Sequence, residues 1–390
     1  MSDRDALITG IGLISSLGEG LDAHWDALNA PPFAPVLDAE SYPPFTLHPM
    51  TKLELDRQIP KRGDQRQMET WQRLGVYAAG LALQEAGVKG DAELLGRTHM
   101  IVSAGGGERD VAVDEAVLSE IGKQPDPGTW LNERLMSDLR PTLFLAQLSN
   151  LMAGNISIVH GVTGSSRTFM GEELGGVDAV RVACARLAAG QGDLFLVGGA
   201  YNAARPDVHM HLALGGAMRT RGWAPLHARM HDGGGTALGS VGCFLVIESR
   251  AHAAARGVTP LARIAGVQAD RSRRRPGEAA ANADRQWQAL SPSSDAVILT
   301  AASGAGATEE ELAWLDARGR PTRATTTALG HGIEATFPAA LALGALALSR
   351  EHLFAPLEDA EAPFAEELRQ VVVNCWGHWR GEGMALLAAA

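Results

Sequence analysis

Cysteine is scarce in this chain, with Cys184, Cys243 and Cys375 as the three thiols in 390 residues and no CxxC pair among them. That excludes a disulfide-built framework and a cysteine-ligated structural zinc, and leaves the thiols to pack in an interior. Long apolar runs are missing too. The longest, near Phe337 to Leu348, is well short of the roughly 20 residues that span a bilayer. The opening MSDRDALITG puts charges where a signal peptide needs an apolar stretch. The chain is therefore expected to stay in the cytoplasm with no membrane span. Positive charge is in deficit: 34 Lys and Arg stand against 45 Asp and Glu, for a formal charge of -11. Such a field disfavours nucleic acid and anionic membrane as partners.

What is present is a large apolar fraction, 46%, with 20% charged residues, enough to bury a sizeable core. Ala6 to Ser16 reads as a buried strand that runs into a helix starting near Gly20. Gly10 and Gly12 do not make a dinucleotide fingerprint, because Ser15 stands where the third glycine belongs. Gln67 to Gly87 is apolar at helical spacing and ends in a glycine, and Met100 to Ser103 then reads as a strand. Leu143 to Ile158 predicts a helix. Gly176 to Gly190 with Leu194 to Gly198 repeats the helix-then-strand order, which predicts parallel strands under covering helices. Val241 to Glu248 closes this half.

A polar stretch, Asp270 to Gln286, follows, and a linker is expected around residues 252 to 285. The second half then offers a strand at Ala296 to Ala301, a helix from Glu309, an alanine-rich helix after Glu334, and strands at Gln370 to Asn374 and Met384 to Ala388. The return of element order predicts an internal duplication, with halves 1–251 and 252–390, although no repeat is visible in the residues themselves.

Histidine pairs occur at His209/His211 and His227/His231. Neither has a third ligand motif, so no metal is expected, and no cofactor. The basic run RSRRR at Arg271 to Arg275, with Lys61 and Arg62, reads either as a solvated loop or as a dock for an acidic partner. No G-x-S-x-G elbow is present, so a hydrolase of that kind has no support.

Four segments taken in order resemble the β-ketoacyl carrier-protein synthases, the ketosynthases of fatty-acid and polyketide assembly. They are ITGIGLISSLGEGLDAHWDAL (Ile8 to Leu28), NLMAGNISIVHGVTG (Asn150 to Gly164), DGGGTALGSVGCFLVIES (Asp232 to Ser249) and ALGHGIEAT (Ala328 to Thr336). The resemblance implies the α/β fold of the thiolase superfamily, with duplicated βαβαβαββ halves in a five-layer αβαβα sandwich. It also implies a cysteine nucleophile at a buried helix N-terminus, where amide groups and the dipole lower the thiol pKa, with two histidines to support decarboxylation and condensation.

The family pattern G-x-x-x-T-x-x-x-x-C-x-x-G lies over GSSRTFMGEELGG with Thr168 in register, and the cysteine position falls on Glu173. The nearest thiol in sequence, Cys184, is three turns along the same predicted helix, roughly 16 Å away. The first histidine position falls on Ser303 in AASGAGATEEE, and the second is kept as His331. The lysine expected five residues before His331 is Thr326, and the C-terminal glycine-rich loop is altered to WGHWRGE, Trp376 to Glu382. Trp376 and Trp379 in that loop read as gates of an acyl tunnel or as ordinary packing.

Glu173 reads in two ways: as an ordinary helix-start carboxylate in a dead site, or as the partner of His331 in a buried ion pair. The loss of three of four polar positions implies a non-catalytic subunit that pairs with an active ketosynthase and shapes its acyl tunnel, similar to the chain-length factors of aromatic polyketide systems. Segments Ile59 to Gly75 and Ile101 to Asp110 resemble the paired synthases that make very-long-chain acyl groups for lipid A. Two other expectations are an enzyme, a decarboxylase or condensing synthase working with Glu173 and His331, and a scaffold that binds acyl carrier protein.

Overall fold

The structure, a computed structural model, describes residues 2–390. Strand β1 (Ala6–Ser15) is buried along its whole length, as a strand covered on both faces must be. It belongs to a first set with β2 (His99–Ser103), β3 (Ser166–Phe169), β4 (Leu194–Tyr201) and β5 (Val241–Ser249). A second set comprises β6 (Ala262–Asp270), β7 (Val297–Thr300), β8 (Thr322–Ala324), β9 (Gln370–Trp376) and β10 (Glu382–Ala388). The strands run β3-β2-β4-β5-β1-β6-β10-β9-β7-β8, with a two-residue strand, Gly18–Glu19, folded back on β1. Read outward from the middle, both sets have the same order and the same directions: β2 is parallel to β3 and β4 while β5 is antiparallel, and β7 is parallel to β8 and β9 while β10 is antiparallel. The sets meet where Ala6 to Ile8 of β1 pairs antiparallel with Ala262 to Ile264 of β6.

The helices complete the repeat. Helices α1 (Thr70–Glu85), α2 (Leu151–His160) and α3 (Glu172–Ala188) alternate with the first strands, and α4 (Glu278–Leu290), α5 (Thr308–Asp316) and α6 (Thr336–Ser349) with the second. Each half is thus β-α-β-α-β-α-β-β. Helices α3 and α6 share one core with the inner faces of both strand sets, while α1 and α2 cover the outer face of the first set and α4 and α5 that of the second. The result is five layers, αβαβα. Every residue of α6 from Thr336 to Leu348 is buried, which accounts for its apolar character all round and its many alanines. Gly12 lets α1 lie directly on β1, since a Cβ there would sit 1.9 Å from the Ala78 carbonyl oxygen.

Two expectations are corrected. Residues 252 to 285 are not a linker: they hold most of a helix, Arg250–Arg256, all of β6 and the start of α4. Beyond Ala265 strand β6 is only half-buried, and α4 buries Asn282 and Gln286 beside its alanines, so neither carries a strong apolar signal. The helix expected over Leu143 to Ile158 is broken into one turn, Leu143–Ala146, and α2. The long excursion between β2 and α2 adds helices Val111–Glu120 and Pro127–Asp138, neither with a buried residue.

Candidate active site

Two glycine-bearing segments build the floor of the site. A Cβ on Gly239 would lie 1.9 Å from the Leu329 carbonyl oxygen, and one on Gly330 would lie 2.6 Å from Gly239 Cα. Backbones this close exchange hydrogen bonds: His331 N–H donates to Ala237 O at 2.8 Å and Gly239 N–H donates to His331 O at 3.0 Å. His331 is thereby fixed by its main chain before its ring makes any contact.

Glu173 sits in the first turn of α3, behind Gly171 (φ 141) and Glu172 (φ 53), a tight left-handed approach that turns the chain into the helix. His331 Nε2–H donates to Glu173 Oε1 at 2.9 Å, and the His378 main-chain N–H donates to the same oxygen at 3.1 Å. Both side chains are only 4% exposed. Burial acts to raise the Glu173 carboxyl, but the hydrogen bond and charge of His331, with amide donors, outweigh it and hold the group below its ordinary value. The helix N-terminus favours the same ionised form. Nδ1 of His331 has no partner.

The other two positions turn away from this pair. Ser303 Oγ donates to Ala305 O at 3.2 Å and accepts from Ala305 N–H, so it closes its own loop. Thr326 Oγ1 donates to Ala302 O at 2.6 Å, next to Ser303. Thus Glu173 and His331 are brought into contact, Ser303 and Thr326 into adjoining turns, and among the described residues no hydrogen bond joins the two sets. Beneath them Arg229, fully buried, donates through Nη2 to Ser303 O at 3.1 Å.

Among the described residues no cysteine hydrogen-bonds to the Glu173–His331 pair. Cys184 is half-buried against the central core and Cys243 lies within β5. Cys375, in β9, feels the Glu173 charge, but burial first, then Glu173 and Glu311, hold its thiol well above its ordinary value. Glu311 was not singled out by the sequence. Its Oε1 accepts from Thr300 Oγ1 at 2.9 Å and Asn374 Nδ2 at 2.7 Å, Oε2 is unpartnered, and burial pushes the carboxyl up to about 8.

The basic run resolves into two roles. Arg271, Arg273 and Arg275 are exposed, whereas Arg274, held at φ 58, turns inward to pair with the fully buried Glu382 and donate to the carbonyls of Gly377 and Gly381. This anchors the loop that delivers His378 N–H to Glu173. Lysine keeps the charge and loses the fork, so Arg274→Lys is expected to cost about 1–2 kcal/mol, read as a lowered calorimetric midpoint; an unchanged midpoint would show that charge alone holds the loop. Trp376 packs in the outer core of the second half and donates from Nε1 to Asn374 Oδ1 at 3.1 Å, while Trp379, 44% exposed, lines a cleft of about 690 Å³ with His378, Arg274 and Glu310.

Two of the paired histidines serve local structure. His209 Nε2–H donates to Ala203 O at 2.7 Å between Tyr42 and Phe45, and His227 pairs with Glu358 at 3.0 Å. Among the described residues no group of three His, Cys, Asp or Glu is arranged to hold a metal.

Residues 3–253 match the family model described as Beta-ketoacyl synthase, N-terminal domain. The chain belongs to the β-ketoacyl synthase family. It is 26% identical over 346 residues to 3-oxoacyl-[acyl-carrier-protein] synthase 2 of Vibrio cholerae, a match covering 86% of this chain and 77% of that protein. The structure of the ishigamide ketosynthase/chain length factor superposes with a TM-score of 0.80 at 19% identity over 100% of both chains. A type II PKS acyl-carrier protein in complex with its ketosynthase bound to the hexaketide gives 0.73 at 15% identity over 99% of both. These structures share the fold, which is the thiolase-like fold of ketosynthases. Within this β-ketoacyl synthase framework, the buried start of α3 carries a glutamate engaged with His331.

Proposed function

We propose that this chain is a non-catalytic ketosynthase subunit that pairs with an active, cysteine-bearing ketosynthase and shapes its acyl tunnel, in the manner of a chain-length factor. The observation that carries the reading is the Glu173–His331 pair. A carboxylate held ionised by a buried imidazole is neither a thiol nucleophile nor a free base, and the Nε2–H that it engages is not free to donate to a thioester. The positions of the first histidine and the lysine add no replacement, since Ser303 and Thr326 spend their hydroxyls on backbone carbonyls.

The surface supports pairing. Strand β3 is an edge with one neighbour, β2, and its face toward α2 borders a groove of about 670 Å³. Ile158, 69% exposed, and Met170, 65% exposed, lie on α2 and just past β3. An open edge beside exposed apolar side chains is a template for another chain. The partner that fits is a second ketosynthase fold, which offers the same edge and would continue the sheet. The segments Ile59 to Gly75 and Ile101 to Asp110 favour assembly of very-long-chain acyl groups of the lipid A type, in the cytoplasm, with chains carried on acyl carrier protein.

Co-expression with a cysteine-bearing ketosynthase tests the pairing. A 1:1 complex is expected by native mass spectrometry, and Met170→Arg is expected to weaken it at least tenfold. Binding to carrier protein with no ketosynthase complex would instead make the chain a scaffold. A second reading, an enzyme using Glu173 and His331, is favoured by one observation: His331 Nδ1 is buried and unpartnered. Carbon dioxide released from malonyl carrier protein by the chain alone, and lost in Glu173→Gln, would establish that reading and end the first.

A further inference from the structure

A cavity of about 120 Å³ lies between the start of α1, the loop after β2, the end of β4 and the turn that follows His331. Its wall includes Trp71, Gly105, Tyr201, Arg205, Ile333 and Glu334. Nothing described so far uses it.

Two hydrogen-bond donors on that wall have no partner among the described residues, Trp71 Nε1 and Tyr201 Oη, on side chains that are 3% and 4% exposed. Buried donors are almost always satisfied, and leaving one unmade is costly, so two at one cavity mark a site built for an acceptor. The same wall carries the Glu334 carboxyl. Among the described residues no side chain donates to it; its own backbone amide does, and burial, the larger effect, pushes it up to about 7. Arg205, a cation whose charge acts on Glu334, is engaged with the carbonyls of Gly106 and Gly107 and with Asp207.

The backbone is bent to put Glu334 there. Ile333 holds φ 44, a left-handed conformation that is an outlier for a β-branched residue. Such outliers persist where the surroundings fix them, and they cluster at ligand sites. Opposite, Gly105 leaves the space the carboxyl needs, because a Cβ there would lie 2.3 Å from Glu334 Oε1.

We propose that this cavity binds a small primary carboxamide, whose carbonyl oxygen accepts from Trp71 Nε1–H and Tyr201 O–H and whose N–H donates to an oxygen of the Glu334 carboxyl. A carboxamide has one acceptor end and one donor end within a few heavy atoms, which matches both the chemistry of the wall and the space. A carboxylate has no N–H to offer the Glu334 oxygens, and an alkyl group would leave both donors and the carboxyl unpaired. The site is independent of the pairing with a ketosynthase, so failure of either reading leaves the other standing.

The test is a titration of the full chain, labelled with 5-fluorotryptophan, with acetamide. The eight tryptophans give separate fluorine resonances, and Trp71→Phe assigns the one at the cavity. A saturable shift of the Trp71 resonance alone is expected, with an affinity on the order of millimolar for so few atoms. Butanone, which has the carbonyl and no N–H, is expected to bind at least tenfold more weakly, and Tyr201→Phe to weaken acetamide at least fivefold. Absence of a saturable Trp71 shift overturns the proposal. So does butanone or acetate binding as tightly as acetamide, since either removes the Glu334 acceptor from recognition. The ligand series uses the unaltered chain, so the outcome does not hang on whether a variant folds.

Discussion

Replacement of Glu173 by alanine is expected to lower the unfolding free energy by about 3–5 kcal/mol, the range for breaking a buried ion pair by deleting one partner. The loss has two sources: His331, 4% exposed, is left without its acceptor, and the His378 main-chain N–H loses the oxygen that anchors the C-terminal loop. His331→Ala is expected to cost a similar amount, because it leaves the carboxylate buried alone. The double replacement Glu173→Leu with His331→Leu is expected to recover most of the loss, since apolar residues of similar volume need no desolvation. Urea unfolding of the four proteins measures the coupling. Single variants that unfold at the parental midpoint would mean that the pair contributes nothing to stability. The pair also has an acid signature. The Glu173 carboxyl lies below its ordinary 4.5, so its contribution is complete above that pH and is lost as pH falls through the folded value.

A second large effect has the opposite sign and a different residue. Burial pushes Glu311 from 4.5 up to about 8, so between those values the folded chain holds a proton that the unfolded chain has released. Stability then falls as pH rises, by about 1.4 kcal/mol per unit and on the order of 5 kcal/mol across the window. In Glu311→Gln that penalty is absent. The variant is expected to gain on the parent steadily from pH 5 to pH 8 and to hold its advantage above. All other titrating groups are common to both chains and cancel in the difference. Parallel stability curves for the two proteins would show that Glu311 is ionised in the folded state at neutral pH, contrary to its surroundings.

Much of this architecture could be read from the residues. The period of Gln67 to Gly87 placed α1, the apolar run after Glu334 placed α6, and the return of element order pointed to the duplication that strand order and direction display. Strands β3, β6 and β8 could not be read. SRTF is short and half-exposed, TRA is three residues long, and β6 mixes Arg263, Gln268 and Asp270 with its apolar positions. The site divides in the same way. Spacing within known motifs located Glu173 and His331, which are 158 residues apart and touch. It gave no hint that Ser303 and Thr326 would close on neighbouring backbone, since a hydroxyl finds a partner only in three dimensions. Glu334 and Arg274 were also passed over. One is a lone acid beside an apolar helix, the other one arginine of several in a run, and only a buried partner or a cavity distinguishes such residues from solvated ones.

The position of β1 has a consequence for how the chain is made. Its ten residues, mostly apolar or glycine, are made long before the two long strands that pair with it, Val241–Ser249 and Ala262–Asp270, which come some 230 or more residues later. At ~5–20 residues per second, β1 waits on the order of 10–50 s for its neighbours. During that interval α1 can shield one face at most, and the unpaired strand is a nucleus for aggregation. Yield of folded protein should therefore depend on translation speed and chaperone supply more steeply than its equilibrium stability would suggest.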